Sequence, residues 1–375
     1  MRAFHTNEYR NILQECGYTE LQINDKIEEA WNSLFYGDSE TRIYYEVGED
    51  EAYIYDVGSE DVRSEGMSYG MMMCVQMDKQ EEFNKLWKWA KVHMQNGEGP
   101  NEGYFSWSMN TDGTPKDTGP APDGEEFFAL ALFFASNRWG DGAAPFDYSN
   151  QARYILHHVL HQEEEGIGRN MWDINKRLIR FVPNSSFTDP SYHLPHFYEL
   201  FALWANEEDR VFWKKAATAS RRYLHTSCHP VTGLAPDYAT MEGVPHTGGS
   251  NHDLFMSDAY RVFGNVALDY EWFGTDSWQI KQSNRVQSFF VKEGLDTHYS
   301  VYTVDGVKME CGNYQAMGLI SMIAMSSLAA DGPHVKTMVD RFWKQVPAKG
   351  RWRYYDDCLY FFALLGLSGN YRIWK

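Results

Sequence analysis

Residues 122–135 read PDGEEFFALALFFA, and this stretch predicts the fold of the chain. Its opening is small and acidic, whereas residues 127–135 are apolar on every side, which is typical of a helix that is buried all round. A similar apolar run, LYFFALL, covers residues 359–365 near the C-terminus. A helix with a charged face, NKLWKWAK, covers residues 84–91 and belongs on the outside of the molecule. Alternation of these two types predicts an inner layer of helices covered by an outer layer.

Apolar residues with the 3.6-residue helical period recur along the whole chain and predict twelve helices. The predicted ranges are 21–35, 65–77, 79–97, 123–138, 148–162, 190–206, 208–226, 256–272, 276–293, 313–329, 334–346 and 354–368. Strand-like alternation is limited to residues 42–46 and 299–304. Six inner and six outer helices predict an all-α (α/α)6 barrel, although a bundle or a solenoid could contain similar helices. No linker or low-complexity segment divides the 375 residues, so we expect one domain over 1–375.

Every second predicted helix opens with carboxylates or aromatic residues after a long, turn-rich segment. The six openings are SEGMSYG (64–70), PDGEE (122–126), DPSYH (189–193), SDAYR (257–261), GNY (312–314) and YYD (354–356). In a barrel of alternating helices these openings share one face, where carboxylates would meet Trp and Tyr side chains. Aromatic rings pack on the C–H face of sugars, and a pair of carboxyl groups hydrolyses glycosides. We therefore expect a cleft that cleaves a neutral polysaccharide.

Helix capping offers a structural explanation for each acid taken singly. Asp189 before Pro190 is typical of an N-cap and the first helical residue, and Asp123 with Glu126 resembles a capping box. Several carboxylates on one face would nevertheless repel one another, and that electrostatic cost requires a functional reason. Burial and a neighbouring carboxylate raise a carboxyl pKa by several units, which would keep one of these groups protonated as an acid.

The composition argues against several classes of partner and compartment. A formal net charge of −18, without a Lys/Arg run, argues against binding to nucleic acid or an anionic membrane. Five scattered cysteines indicate neither a disulfide framework nor a structural zinc site. The N-terminal residues contain no apolar signal segment, and no long apolar stretch follows. We expect a cytoplasmic protein that spans no membrane.

The histidines are considered as metal ligands and as cleft residues. His157 and His161 have the i,i+4 spacing that could bind a metal, but they lie on a predicted surface helix and no acid ligand is assigned to them, so no metal is predicted. His193 and His196 flank Pro195 close to the expected cleft. They are expected to hydrogen-bond a carboxylate or a sugar hydroxyl.

Together the openings resemble the motifs of glycoside hydrolase family 8. The matching segments are DVRSEGMSYGM (61–71), GPAPDGEE (119–126), DPSYH (189–193), SDAYRV (257–262), RYYD (353–356) and LSGN (367–370). They run in order through nearly the whole chain, and the branch that they resemble most is the reducing-end xylose-releasing exo-oligoxylanases. The resemblance implies an (α/α)6 barrel, an inverting mechanism without a cofactor, and xylo-oligosaccharides as substrates.

Roles for individual residues follow from their positions in these motifs. Glu65 matches the general acid, Asp258 the general base, and Asp123 the carboxylate that holds the sugar at the cleavage point in a distorted ring. Tyr192 matches a tyrosine that helps to place the attacking water. An inverting pair must be ~6.5–9.5 Å apart to leave room for that water, and two helix ends across a barrel mouth allow such a separation.

Five further residues are expected to bind substrate. They are Arg63, Trp107, Tyr355, Tyr314 and His193, of which Arg63 and Trp107 match residues that line the cleft near the scissile bond.

One segment departs from the exo-oligoxylanase pattern. In that branch a Leu-His-Pro tripeptide closes the cleft beyond the first leaving-group sugar, whereas residues 312–317 read GNYQAM here. Either Tyr314 and its neighbours form a different barrier, or the cleft is open and the chain is an endo-β-1,4-xylanase.

More distant alternatives are a glucanase, a chitosanase and a uronate lyase. A uronate lyase would need basic residues in the cleft to neutralise the substrate carboxylate, and the acidic openings argue against it. A helical scaffold or a non-enzymatic sugar-binding protein is disfavoured by the presence of both Glu65 and Asp258.

Overall fold

A computed structural model describes residues 2–312, 314 and 316–375, and α-helices make up its framework. The helices are α1 Ala3–Thr6, α2 Ile12–Glu15, α3 Glu20–Tyr36, α4 Ser64–Gln76, α5 Gln80–Trp89, α6 Pro122–Trp139, α7 Tyr148–His161, α8 Pro195–Trp204, α9 Arg210–Ser227, α10 Tyr260–Trp272, α11 Trp278–Glu293, α12 Met317–Met325, α13 Val335–Trp343 and α14 Arg353–Leu367. None of the helices in the described part of the chain is long and apolar enough to cross a bilayer.

Alternate helices form a closed inner ring. The contacts run from α4 to α6, α8, α10, α12 and α14, and α14 then packs against α4. Each inner helix is covered by one outer helix: α5 packs on α4, α7 on α6, α9 on α8, α11 on α10, α13 on α12 and α3 on α14. The predicted (α/α)6 barrel of six inner and six outer helices is confirmed. That the chain is one domain over 1–375 stays a prediction.

The burial of each helix follows its sequence pattern. Residues 122–135 of α6 are all buried, because inner-ring neighbours and the outer helix α7 surround them. In α5, Phe83, Leu86 and Trp87 are fully buried against the core, while Glu81 is exposed and Glu82 is partly exposed. Burial of apolar surface, which contributes about 25 cal/mol per Å², therefore stabilises inner helices on all sides and outer helices on the side that faces the core.

Short antiparallel strands lie in the segments between helices. They are β1 Tyr44–Val47, β2 Glu51–Ile54, β3 Val62–Arg63, β4 Ser108–Met109, β5 Pro115–Asp117, β6 Trp172–Asp173, β7 Leu178–Ile179, β8 Phe187–Thr188 and β9 Ala239–Thr240. The strand predicted at 42–46 corresponds to β1, which pairs with β2. Residues 299–304 form no continuous strand, since Tyr302 makes only isolated bridges to Phe255 and Lys308.

Two helices that supply the mouth of the barrel begin later than the sequence predicts. The helix expected from 190 begins at Pro195, because Asp189 caps a separate 3₁₀ turn, Pro190–Tyr192, by accepting from the backbone N–H of Ser191. The helix expected from 256 begins at Tyr260, so the acidic residue before it lies in a turn.

Two further helices differ in length or in type. The helix predicted over 79–97 is observed as α5, which ends at Trp89, followed by a π-helical turn, Ala90–Met94. The helix predicted over 313–329 is described as α12, followed by the 3₁₀ turn Ser326–Leu328. Its expected first residue, at position 313, lies outside the described residues.

Candidate active site

Four carboxylates from four different segments meet at one end of the inner ring. Glu65 is the second residue of α4, Asp123 is the second residue of α6, and Asp258 lies two residues before α10. Asp189, which caps the 3₁₀ turn, is the fourth. The long segments that precede the inner helices therefore bring the predicted catalytic residues together.

Arg261, in the first turn of α10, binds all four carboxylates. Its Nη1 lies 2.7 Å from Oε2 of Glu65 and 3.0 Å from Oδ2 of Asp123. Its Nη2 lies 3.3 Å from Oδ1 of Asp258 and 3.5 Å from Oδ2 of Asp189. One buried guanidinium thus offsets the mutual repulsion of four acids, and it fixes them relative to one another.

The shared guanidinium also limits the separation of Glu65 and Asp258. Both carboxylates are in contact with neighbouring nitrogens of Arg261, so their nearest oxygens are closer than the ~9.5 Å upper limit for an inverting pair. The two side chains differ in access to solvent: that of Glu65 is 15% exposed and that of Asp258 is 30% exposed.

Burial controls the protonation of the acids around Arg261. Loss of solvation raises the pKa of Glu65 above its ordinary value; the Arg261 charge opposes this effect and the Asp258 charge adds to it. Burial likewise raises the pKa of Asp123 to about 7, again against the attraction of Arg261. The pKa of Asp189 is raised well above its usual range by burial and by the charge of Asp258. The site is therefore able to hold a proton on a carboxyl group near neutral pH.

A tyrosine from the last helix orients Glu65. The Tyr354 hydroxyl donates to Oε1 of Glu65 at 2.9 Å, while Arg261 donates to the other oxygen. The close approach depends on Gly66, because a Cβ at that position would lie 2.6 Å from the Tyr354 hydroxyl. Glu65 is therefore held on both oxygens and keeps one orientation.

The cleft has two parts that share Arg63, Glu65 and Asp258. The larger part has a volume of about 420 Å³ and is also lined by Asp123, Tyr192, Trp107, Phe181, Tyr238 and Arg261. The smaller part has a volume of about 240 Å³ and is also lined by Asp56, Ser59, Ser257, Trp352, Tyr354 and Tyr355. The predicted acid and the predicted base therefore lie where the larger part of the cleft meets the smaller part.

Four of the predicted substrate-binding residues line this cleft. Tyr192 is 6% exposed and faces the larger part, where the Arg261 guanidinium lies over its ring. Arg63 is held by Asp61 at 3.0 Å, and its guanidinium lies 5.4 Å from the Trp107 ring.

Tyr355 belongs to the smaller part of the cleft. Its hydroxyl donates to the carbonyl oxygen of Ser257, next to Asp258, at 2.7 Å.

The prediction that His193 binds substrate is wrong. Its ring is fully buried, with Nδ1 2.9 Å from the Ser220 hydroxyl, Nε2 3.1 Å from the Thr188 hydroxyl and a face stacked on Tyr223. Burial lowers its pKa to about 3, so it remains neutral. His196 is also buried and its pKa is lowered to about 3 by burial. Both histidines are core residues because α8 begins after His193 and turns this segment inward.

Tyr314 does not line either part of the cleft. It is 56% exposed, and its neighbours 313 and 315 lie outside the described residues. The predicted barrier, which Tyr314 would form with these neighbours, therefore stays a prediction.

The capping box expected from Asp123 and Glu126 is also wrong. The N-cap of α6 is Ala121, and Glu126 instead accepts a hydrogen bond from the buried Tyr198 hydroxyl. Asp123 accepts from the N–H of Gly124 and from Arg261. These acids serve the barrel mouth and the core rather than the helix terminus.

No site role was predicted from the sequence for Arg261, Tyr354 or Trp352. Arg261 follows Asp258 by three residues, and four converging acids require a buried cation nearby, which was the available signal. Tyr354 and Trp352 lie in the aromatic segment that ends the chain, but their pairing with a residue near position 65 has no local signal.

The helices form a closed double ring, and its cleft is lined by aromatic rings. The cleft contains one carboxyl group that is fixed by hydrogen bonds and a second that is more accessible to solvent. This arrangement is that of an acid–base glycosidase. A model of the family "Glycosyl hydrolases family 8" matches residues 51–368. The chain belongs to this family and is a glycoside hydrolase.

Its relatives include enzymes with a named specificity. The chain is 57% identical over 374 residues to the reducing-end xylose-releasing exo-oligoxylanase Rex8A of Paenibacillus barcinonensis, covering 99% of this chain and 98% of the relative. It is 54% identical to the reducing end xylose-releasing exo-oligoxylanase of Halalkalibacterium halodurans, covering 99% and 96%. The structure of Rex8A complexed with xylose superposes with a TM-score of 0.98 at 56% identity, covering 100% of both chains. Relatives named endoglucanases are 26–28% identical.

Proposed function

We propose that this chain hydrolyses β-1,4-linked xylo-oligosaccharides with inversion and releases xylose from their reducing ends. The observation that carries the proposal is the position of Glu65 and Asp258 at the junction of two cleft halves of unequal volume. Relatives more than 50% identical over almost the whole chain carry the name of this activity, which supports the same substrate class here.

Glu65 is the proposed general acid. Its pKa is raised by burial, so the carboxyl retains a proton that it can donate to the glycosidic oxygen as the bond breaks. Tyr354 and Arg261 bind its two oxygens and hold the group in one orientation toward both cleft halves. The carboxylate that forms after donation is stabilised by the same two donors.

Asp258 is the proposed general base. Its side chain is the most exposed of the four carboxylates, which gives a water molecule access to it. In the inverting reaction Asp258 removes a proton from this water while the oxygen attacks the anomeric carbon from the face opposite the leaving group. Tyr192, whose ring lines the larger cleft half, is proposed to help place the water.

Asp123 is proposed to hold the sugar whose anomeric carbon is attacked. Asp123 lines the larger part of the cleft and does not line the smaller part. Its buried carboxyl, with a pKa of about 7, is able to accept or donate a hydrogen bond to a ring hydroxyl. Such a bond favours a distorted ring, which resembles the oxocarbenium-like transition state.

The difference in volume between the cleft halves supports exo action. If Asp123 marks the non-leaving side, the leaving group occupies the part of about 240 Å³, where Trp352, Tyr354 and Tyr355 supply aromatic surface. A leaving side of smaller volume favours release of a single sugar. The alternative is endo-xylanase action, which residues 312–317 favour because they lack the Leu-His-Pro tripeptide.

The decisive experiment uses xylopentaose that is labelled at its reducing end. We expect labelled xylose and unlabelled xylotetraose as the only early products, with the new xylotetraose anomer inverted in proton NMR. Mixed labelled fragments would replace exo action by endo action. Absence of cleavage, with hydrolysis of a glucan or chitosan oligomer instead, would overturn the xylan specificity.

Variants of the two catalytic candidates test the mechanism. We expect Glu65→Ala and Asp258→Asn to lower kcat by at least about 100-fold, the lower end of the effect of a general acid or base, with unchanged circular dichroism. The control is Glu98→Ala, which removes an exposed acid in a loop outside the cleft. Near-normal hydrolysis by either active-site variant would remove that residue from the proposed mechanism.

We further propose that the enzyme acts in a reducing compartment such as the cytoplasm. All five cysteines lie in the described part of the chain and none of them is in a disulfide, which is the usual state of cytosolic thiols. The natural substrates would then be short xylo-oligosaccharides rather than polymeric xylan. Fractionation of cells that produce the protein would test the location.

A further inference from the structure

A second cluster of chemically active side chains lies on the outer layer, apart from the cleft. His157 and His161 are one turn apart near the end of α7, so they share a helix face. The fold brings Asp209, which ends the 3₁₀ turn Glu207–Asp209 before α9, against this face. Nε2 of His161 lies 2.8 Å from Oδ1 of Asp209, and the two imidazole rings are stacked with centroids 4.6 Å apart.

The three side chains have the spacing of ligands to one metal ion. One ligand atom from each of His157, His161 and Asp209 lies within 4.8 Å of the other two. Ligands at ~2.0–2.2 Å from a tetrahedral Zn²⁺ lie about 3.3–3.6 Å from one another, a spacing that small side-chain rotations can produce here. No metal was predicted from the sequence because no acid ligand was assigned to the histidines; the tertiary structure brings Asp209 to them, and Glu164 and Glu165 follow His161 within four residues in the chain.

Asp209 provides an independent indication that a cation belongs here. The residue is only 4% exposed, yet its Oδ2 atom is buried and has no hydrogen-bond partner among the described residues. A buried carboxylate oxygen without a partner is energetically unfavourable. The imidazole of His161 satisfies Oδ1 alone, so the carboxylate retains unused capacity beside the two histidines.

Two neighbouring glutamates complete the arrangement. Oε1 of Glu165 lies 2.7 Å from Nε2 of His157, a position from which it could supply a fourth ligand. Oε2 of Glu164 lies 3.0 Å from Nδ1 of His161, on the side of the ring away from Asp209. A carboxylate that accepts from the far nitrogen fixes the tautomer and orientation of a metal-bound histidine.

We propose that His157, His161 and Asp209 bind one Zn²⁺ ion, with Glu165 as the fourth ligand and Glu164 orienting His161. Two imidazoles and carboxylate oxygens suit Zn²⁺, and four protein ligands are typical of a structural rather than a catalytic site. The ion would tie the end of α7 to the start of α9, two outer helices that cover successive inner helices. Its effect is therefore on stability, and hydrolysis in the cleft proceeds without it.

The test measures zinc binding by protein that has been stripped with EDTA and desalted. After addition of ZnCl₂ and a second desalting step, we expect one zinc per chain by mass spectrometry and a higher Tm, because a ligand that binds only the folded state stabilises it. The rate of xylo-oligosaccharide hydrolysis at 25 °C should not change. Failure of the wild-type chain to retain zinc would overturn the proposal and leave the cluster as a set of ion pairs.

Variants distinguish a built site from a chance histidine pair. His157→Ala, at a partly exposed position, and Asp209→Asn should each weaken zinc affinity by more than tenfold in calorimetry, and Glu164→Gln by about 10- to 100-fold. The control is His225→Ala, because His225 pairs with Asp276 at 2.7 Å outside the proposed site, and this variant should bind zinc normally. Wild-type affinity in Asp209→Asn would mean that the two histidines alone chelate the metal, which would also overturn the proposal.

Discussion

Removal of a single hydroxyl group, in Tyr354→Phe, tests how the structure sets the pKa of the proposed acid. Tyr354 is 3% exposed, and its hydroxyl donates to Oε1 of Glu65 at 2.9 Å. This hydrogen bond stabilises the ionised carboxylate and so lowers the pKa of Glu65 against the larger, opposite effect of burial. Without the hydroxyl, the pKa of Glu65 must rise.

The size of the shift follows from the energy of the hydrogen bond. A bond to a charged acceptor contributes about 1.5–3 kcal/mol, and 1.36 kcal/mol corresponds to one pKa unit. Because protonated Glu65 also accepts a weaker bond from Tyr354, we expect the lower end of this range, about one unit upward. Arg261 still donates to the other oxygen of Glu65, so the carboxyl keeps its position.

The assay is the pH dependence of kcat/KM, whose alkaline limb reports the pKa of the acid in the free enzyme. We expect this limb to move about one pH unit higher in Tyr354→Phe, because Glu65 then holds its proton to higher pH. The control is Tyr360→Phe on the same helix, where the buried hydroxyl lies 3.5 Å from the Gln345 carbonyl oxygen, away from the cleft. An alkaline limb that stays in place or moves lower, in a variant with an unchanged fold, would refute the assignment of Glu65 as the acid controlled by Tyr354.

Three further predictions concern buried groups near the cleft. Burial raises the Glu125 pKa to about 8, so protonated Glu125 stabilises the fold at low pH and this contribution is lost as the pH rises. In Glu125→Gln, we therefore expect Tm to fall less steeply between pH 4.5 and pH 8 than in the wild-type chain. An unchanged slope of Tm against pH would contradict this prediction. Arg261→Met should lower the free energy of unfolding at pH 7 by about 3–5 kcal/mol in urea titrations, and less at pH 4, where protonated carboxyls no longer repel; a loss independent of pH would count against the charge argument. Gly66→Ala should lower kcat by about 10- to 100-fold because the new Cβ displaces the Tyr354 hydroxyl, and full activity would show that the contact is adjustable.

The barrel was predictable from the sequence because each layer has its own pattern. Helices such as α6 are apolar on all sides and helices such as α5 on one side, and this difference survives in any arrangement that buries the first kind. The start of α8 was less accessible, since Asp189 and Pro190 cap a 3₁₀ turn as readily as an α-helix. Because of that ambiguity, His193 was predicted to lie in the cleft, whereas it lies in the core.

Side-chain partners across the barrel were the least predictable part of the site. Glu65 and Asp258 could be proposed from motif positions, but Arg261 binds acids from α4, α6 and the 189–192 segment at once. No short-range sequence pattern predicts that these distant acids contact one arginine. The same holds for Asp209, which reaches His161 from 48 residues further along the chain.

Closure of the inner ring by α14 against α4 has a consequence for protein synthesis. Glu65 emerges early from the ribosome, yet its partner Tyr354 is made only after almost 300 further residues. Until then the faces of α4 and α3 that pack against α14 are uncovered, and the growing chain exposes apolar surface that promotes aggregation. The C-terminal residues complete the seam, where the backbone N–H of Ile373 donates to the Tyr9 hydroxyl and the N–H of Arg372 to Gln76. A chain truncated before α14 should therefore require a chaperone and should have no hydrolytic activity, because it lacks the Tyr354 partner of Glu65.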